Sequence, residues 1–473
     1  MNAPALRSYE DLPGPRGLPL LGNALQLKGA RMHLQMEQWC REFGPYYRLK
    51  VGPRRLLVVG EHQAVATMLR DRPEGFSRGS RLEAIGQEMG LKPGLFGVNG
   101  DMWRRQRRMV MAAFDPAHVR HYFPALRTVG ARLVGRWRRA ASEGRAINLQ
   151  ADLMRYTVDT IAGLAFGAEV NTLESDEDVI QKHLDKIFPA LARRLSAPLP
   201  MWRWFPSEED RELKRSMLAV NEAVDAFIAQ ARARLKQDSQ RAQHPQNLLE
   251  AMIVAADAPD SGIDDAQVAG NVLTMLLAGE DTTANTIAWM IWLLWRHPEA
   301  LSRAAEEVRR VLVDPANPTH EQLNRLEYVE ACAHETMRLK PVAPLLVLQP
   351  LHETTIGPVR VPPNVAVFCL MRRDSVSDDY LPEAAKFRPE RWLTGVGPGQ
   401  SAGAAKRVSM PFGAGPRICP GRYLALLEMK MAMAMLLSHF EIAGVDTPDG
   451  SEARERLSFT MTPVDLRLRL KGL

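Results

Sequence analysis

The longest apolar stretch of this 473-residue chain, Val268 to Trp295, carries Glu280 and Asp281 at its middle. A charged pair there would cost several kcal/mol in a bilayer, so the stretch predicts no membrane span. It predicts instead a helix over 264–296, about 50 Å long at the α-helical rise. Asp264 with Gln267 gives it a capping-box-like start, and Pro298 marks its end. A helix of that length in a globular protein crosses the core, and the rest of the chain must wrap around it. At its centre stands Ala278-Gly279-Glu280-Asp281-Thr282-Thr283, a poor local choice. Glycine costs about 1 kcal/mol relative to alanine there, and threonine hydroxyls compete for helix carbonyls. Small residues make room, and a hydroxyl beside a carboxylate makes a proton relay. Taken alone, the same residues also fit a polar kink without a function.

The remaining composition removes whole classes of function. A hydrophobic fraction of 46% and a charged fraction of 25% exclude disordered and fibrous chains. The four cysteines, Cys40, Cys332, Cys369 and Cys419, are far apart. A disulfide scaffold and a clustered zinc site are therefore not expected, and a reducing compartment is. The net charge is +6, but its runs (Arg104 to Arg108, Arg136 to Arg139, Arg232 to Lys236) are short and scattered among helix formers and acids. That pattern predicts solvated faces or an acidic protein partner rather than nucleic acid. The N-terminus shows no secretory pattern.

Periodicity predicts a mainly α protein with small β-sheets. Helices are expected near 62–70, 101–113, 117–141, 149–166, 176–193, 207–237, 245–256, 264–296, 298–313, 325–339 and 420–437. Short strands are expected at Tyr46–Val51 and Leu56–Val59 and within Glu353–Leu370. Residues 1–30 read as an irregular Pro/Gly-rich segment, 31–473 as a single domain, and Gly395 to Ala405 as a mobile surface loop.

The most chemical segment is Phe412-Gly413-Ala414-Gly415-Pro416-Arg417-Ile418-Cys419-Pro420-Gly421. Its glycines let the backbone turn tightly against a ligand. Cys419 falls just before a helix N-terminus, where unpaired N–H groups and the dipole favour a thiolate. A lone thiolate at a sheltered turn suits an axial metal ligand, and Arg417 suits an anionic group on that ligand. In this decapeptide the sequence resembles the cytochrome P450 family, whose haem-binding loop Phe-x-x-Gly-x-Arg-x-Cys-x-Gly it matches at every fixed position. The resemblance implies a P450-type fold with a long central helix over the haem and a Cys-bearing loop beneath it. Cys419 would be the proximal haem-iron ligand, with Phe412 and Arg417 beside the cofactor.

The other motifs take their meaning from the same resemblance. Ala278 to Thr283 matches the family's oxygen-activation motif. Ala278 and Gly279 would lie against the haem, Thr282 would hydrogen-bond dioxygen, and Asp281 would relay protons. Glu335 and Arg338 share a helix face; with Arg391 of Phe387-Arg388-Pro389-Glu390-Arg391-Trp392 they would form a buried network. Trp103 and Arg107, one turn apart, read alone as an amphipathic surface helix; the resemblance makes them contacts to a haem propionate. Arg104, Arg105 and Arg108 would then face an acidic redox partner. Where many members carry a basic residue toward a propionate, downstream of Arg338, this chain has Gln349.

The implied activity is a haem-dependent monooxygenase using dioxygen on a lipophilic small molecule. With no cysteine cluster and no flavin-sized extension, its electrons are expected from a separate ferredoxin or flavodoxin-type protein in the cytoplasm. Substrate lining is expected from Ser80–Val98, Phe188–Trp204, Met275–Thr282, Ala343–Leu348 and around Phe459. The alternatives are a haem-thiolate peroxygenase or isomerase, or a non-catalytic haem-binding protein.

Overall fold

The computed structural model describes residues 6–167, 170–175, 183–184, 186–197, 199–393 and 402–473. Five helices position the site: α1 (Gly100–Ala113), α2 (Leu149–Phe166), α3 (Asp265–Arg296), α4 (Glu327–Leu339) and α5 (Arg422–His439). The Asp264 side chain caps α3 by accepting the Gln267 N–H at 2.8 Å, and the next helix begins at Pro298. With α2, α4, α5 and Glu208–Gln237 packed around it, α3 is buried on nearly all sides. From Thr283 to Leu294 every side chain is buried, including Trp289 and Trp292. The middle of α3 opens along a stripe at Thr274, Ala278 and Thr282, spaced four apart and so on one face, with Gly279 and Asp281 partly exposed beside it. Ala278 is exposed at the very centre of this core helix.

The main sheet has five strands in the order Tyr46–Val51, Arg54–Val59, Ala366–Leu370, Leu345–Pro350, Phe76–Arg78. Its first two form a hairpin, Tyr46 opposite Val59 and Val51 opposite Arg54, around Gly52-Pro53. The edge strand Phe76–Arg78 runs antiparallel to Leu345–Pro350, with Ser77 opposite Gln349 and Arg78 opposite Leu348. A second hairpin near the C-terminus pairs Glu455–Leu457 with Met461–Pro463.

Most predicted helices stand within a few residues of expectation. The stretch 117–141 divides at Tyr122 into Pro116–His121 and Phe123–Ser142. Of 176–193, residues 176–182 and 185 lie outside the described residues, and Ile187–Ser196 is helical. The Gly395–Ala405 loop reading lies outside the described residues up to 401, and Ala402–Val408 is helical. Among the described residues, the helices Met32–Phe43 and Ser80–Glu88 escaped the periodicity reading, as did the short Ser239–Gln243 and His320–Asn324. The N-terminal segment is not wholly irregular, because Arg7–Ser8 pairs with Val359–Arg360. No helix among the described residues is long and apolar enough to cross a membrane.

Candidate active site

The loop bearing the cysteine closes on itself. Cys419 N–H donates to Phe412 O at 2.9 Å, and Ile418 N–H to Gly415 O at 3.1 Å. Gly415 has φ +70°, and a Cβ there would lie 2.5 Å from the carbonyl oxygen of Leu69. Only glycine meets both conditions, and this seats the loop against the helix His62–Arg70. The sulfur lies just before α5, with the Gly421 N–H turned to it. The expectation that this position lowers the thiol pKa is corrected. Burial outweighs the helix end and pushes the thiol above its ordinary value, while Gly421 N–H, Arg107 and Arg422 pull it down. A metal ion bound there would deprotonate it outright.

Four arginines gather around this loop. Burial is the first cause that lowers each of them. Arg72 and Arg417 fall to about 10, and Arg78 falls well below its ordinary value, pushed further by Arg72 and Arg417. Arg107 is lowered by burial and supported by Cys419. Among the described residues none of the four has an acidic ion-pair partner; their contacts are neutral. Arg417 donates to Asn99 Oδ1 at 3.4 Å and to Val98 O, and its guanidinium lies 4.9 Å from the centre of the buried Trp103 ring. The Arg78 guanidinium lies 3.8 Å from the Phe96 ring centre. The Nε atoms of Arg78 and Arg417 are both buried without a partner among the described residues.

Arg72 is buried and the other three are partly buried; desolvated cations without counter-charge are costly, so such a cluster fits a site for anionic groups on a ligand. A haem with two propionates meets that requirement, and Cys419 offers its iron a sulfur. Among the described residues no group of three His, Cys, Asp or Glu could hold a metal by itself. A metal at Cys419 must bring other ligands with it, as haem iron does.

Sequence reasoning found Arg107, Trp103 and Arg417 but missed Arg72 and Arg78. The signal for Arg78 lay in strand pairing. Gln349, noted as a departure from the family pattern, accepts from Ser80 N–H and Oγ at 3.3 Å. Its neighbouring strand supplies a cation through Arg78. Of the outward arginines on α1, Arg104 is engaged by Asp101 at 2.5 Å and Glu74 at 2.6 Å, whereas Arg105 and Arg108 are exposed.

On α3, Thr282 donates its hydroxyl to Ala278 O at 2.6 Å, and the helix continues unbroken. The hydroxyl is satisfied within the turn and does not open it. Asp281 is not hydrogen-bonded to Thr282. Its Oδ1 accepts from Asn285 Nδ2 at 2.7 Å and its Oδ2 from Thr460 Oγ1. Burial raises the Asp281 carboxyl, and these two donors oppose the rise. A Cβ on Gly279 would lie 2.7 Å from Ile161 Cδ1, so this glycine lets α2 approach α3. The accessible neighbour is Ala278.

The expected Glu335–Arg338–Arg391 network is present and buried. Arg338 binds Glu335 through two hydrogen bonds, Nε–Oε2 at 2.8 Å and Nη2–Oε1 at 2.7 Å. Arg391 Nε reaches Glu335 Oε1 at 3.3 Å, and Trp392 Nε1 reaches Oε2 at 2.9 Å. Arg338 also donates to the carbonyls of Ala384 at 2.7 Å and Lys386 at 3.1 Å.

Three of the expected lining segments meet. The Phe459 ring stacks on Phe188 with centroids 4.5 Å apart and meets the edge of Phe96 at 5.8 Å. The far end of Phe188–Trp204 departs from expectation, because Trp204 and Phe205 are exposed.

A long core helix with an accessible stripe, a lone thiol before a helix and stranded arginines around it define a haem-thiolate class of protein. The cytochrome P450 family model matches residues 12–469, and the chain belongs to that family. It is 27% identical over 447 residues to cyclooctat-9-en-7-ol 5-monooxygenase of Streptomyces melanosporofaciens, covering 94% of this chain and 92% of that one. It is 27% identical over 445 residues to the chloroplastic carotene epsilon-monooxygenase of Arabidopsis thaliana, covering 90% and 80%. With bifunctional cytochrome P450/NADPH–P450 reductase 2 of Bacillus subtilis it shares 26% identity over 476 residues, 98% of this chain but 43% of that protein. As a cytochrome P450 the chain is a haem-dependent monooxygenase, an oxidoreductase.

Proposed function

We propose that Cys419 is the proximal ligand of haem iron and that Arg78, Arg107 and Arg417, with Trp103, hold the propionates. Phe412 and Ala278 would line the cofactor site, and Gly279 sets the approach of α2 to α3. The observation that carries this reading is the set of partly buried, desolvated arginines around Cys419 without an acidic partner among the described residues.

The haem, when bound, activates dioxygen and transfers one oxygen atom to the substrate, the other leaving as water. The chain's own residues position and protonate. Asp281 relays protons from solvent, and Thr282 would hydrogen-bond dioxygen by turning its hydroxyl away from Ala278 O. Phe96, Phe188 and Phe459 offer an aromatic wall to a lipophilic small molecule and exclude water from it. Electrons come from a separate ferredoxin or flavodoxin-type protein in the cytoplasm, whose acidic surface meets Arg105 and Arg108.

The test is the absorption of reduced, carbon-monoxide-treated holoprotein. The far red-shifted Soret band of a thiolate-ligated haem is expected, and Cys419→Ala is expected to abolish it. An unchanged band in that variant would refute the assignment. With surrogate redox partners, Thr282→Ala is expected to divert oxygen to peroxide; unchanged coupling would remove the role given to Thr282.

A further inference from the structure

The hairpin Glu455–Pro463 is fixed at its base and aims its tip at α3. The Glu455 carboxylate accepts from Arg372 at 2.7 and 3.0 Å, from Lys340 at 2.7 Å, and meets His33 Nε2 at 2.8 Å. Met461 N–H donates to Val342 O at 2.8 Å, and Ser458 N–H to Thr460 O at 2.9 Å, closing the turn. Phe459 is clasped between Phe188 and Phe96. With both flanks held, the tip places the Thr460 hydroxyl on Asp281 Oδ2. Thr460 is buried, and Asn285 occupies the other carboxylate oxygen.

Three features make this more than a packing contact. A valine of the same shape would fill the space, so the hydroxyl is not needed for volume. The hydrogen bond joins elements 179 residues apart, on a tip immobilised from outside α3. It also engages the acid next to Thr282 rather than an idle surface group. The groups facing Asp281 are neutral: Thr460 from the hairpin and Asn285 from α3 itself.

We propose that Thr460 is a positioning residue for Asp281. Its hydrogen bond fixes the direction of that carboxyl and favours its ionised form, so that Asp281 is reset to accept a proton after each transfer. This rests on the reading of Asp281 as a proton carrier, but it is tested on the carboxyl itself.

The experiment is an infrared pH titration of the ferric holoprotein, with the Asp281 carboxyl band identified as the one lost in Asp281→Asn. Losing a hydrogen bond to a charged group raises a carboxyl pKa, so Thr460→Val is expected to move the midpoint up by about one pH unit or more. Thr460→Ser keeps the hydroxyl and is expected to titrate like the wild type. If Thr460→Val does not fold, Thr460→Ala is read the same way. A midpoint unchanged in the hydroxyl-free variant overturns the proposal, as does a serine variant that shifts as far as valine. The underlying reading fails separately: oxygen coupling that survives Asp281→Asn would remove the proton carrier and this role with it.

Discussion

Arg338 and Arg417 are both guanidinium groups held inside the protein, yet they are satisfied in opposite ways. Arg338 is completely enclosed and spends its donors on Glu335 and on the carbonyls of Ser375, Ala384 and Lys386. Glu335 in turn accepts from Arg391, Trp392 and the Arg388 N–H. That network is closed and needs nothing from outside. Among the described residues Arg417 has only Asn99, Val98 O and the Trp103 face, and its Nε has no partner. Arg72, Arg78 and Arg107 around it are equally without acids among the described residues. A closed network marks a structural strut, and an open one marks a seat for a charged ligand.

The strut gives the largest expected effect. Glu335→Ala would leave Arg338 and Arg391 buried without compensation, a loss on the order of 3–5 kcal/mol. Thermal unfolding of the holoprotein should show it, and very low yields of coloured protein are expected. A loss below about 1 kcal/mol would erase the distinction, since removing one member of a closed buried network must be costly.

The open cluster should behave in the reverse sense. Arg417→Leu and Arg78→Leu remove cations that no acid among the described residues neutralises, so the haem-free protein should be unchanged in stability or gain a little. Haem retention should suffer, by roughly ten-fold or more in the rate of transfer to apomyoglobin, if one charge-assisted hydrogen bond is lost. Denaturant midpoints of the apoprotein and the haem-transfer rate together check both halves. An apoprotein destabilised as much as by Glu335→Ala would place Arg417 among the struts.

Legibility followed the same division. The thiolate loop, the Glu335 network and the capped start of α3 were readable because each rests on residues close in sequence or on a fixed spacing. Arg78 was not readable, because its place depends on the pairing of Phe76–Arg78 with Leu345–Pro350, far away in the chain. Thr460 was hidden for the same reason, its partner being set by a long-range hairpin. The thiol pKa was misjudged because local helix polarity is visible in sequence whereas burial is not. Gly279 was read as room for a ligand, when the side chain it admits is Ile161. The helix Met32–Phe43 went unseen beside a Pro/Gly-rich segment that dominated the local signal.

Glu428 sharpens the comparison by supplying a third solution. It lies on α5 with 1% of its surface exposed, and among the described residues no cation pairs with it. Burial pushes its carboxyl up to about 8, against a hydrogen bond from Thr283. It is therefore neutral at pH 7, neither paired like Glu335 nor awaiting a ligand like Arg417. A folded pKa above the unfolded value of about 4.3 stabilises the fold fully only below that value. The contribution then falls as pH rises toward 8 and is flat beyond. Glu428→Gln keeps the neutral shape and removes the titration. Near pH 5 it should differ little from the wild type, within about 1 kcal/mol for a near-isosteric buried change. Its relative stability should then rise up to pH 8 and level off, as urea midpoints at pH 5, 7 and 9 would show. A difference that stays constant with pH would mean that Glu428 ionises inside the fold as it does in water, and that a buried acid here can do without both partner and proton.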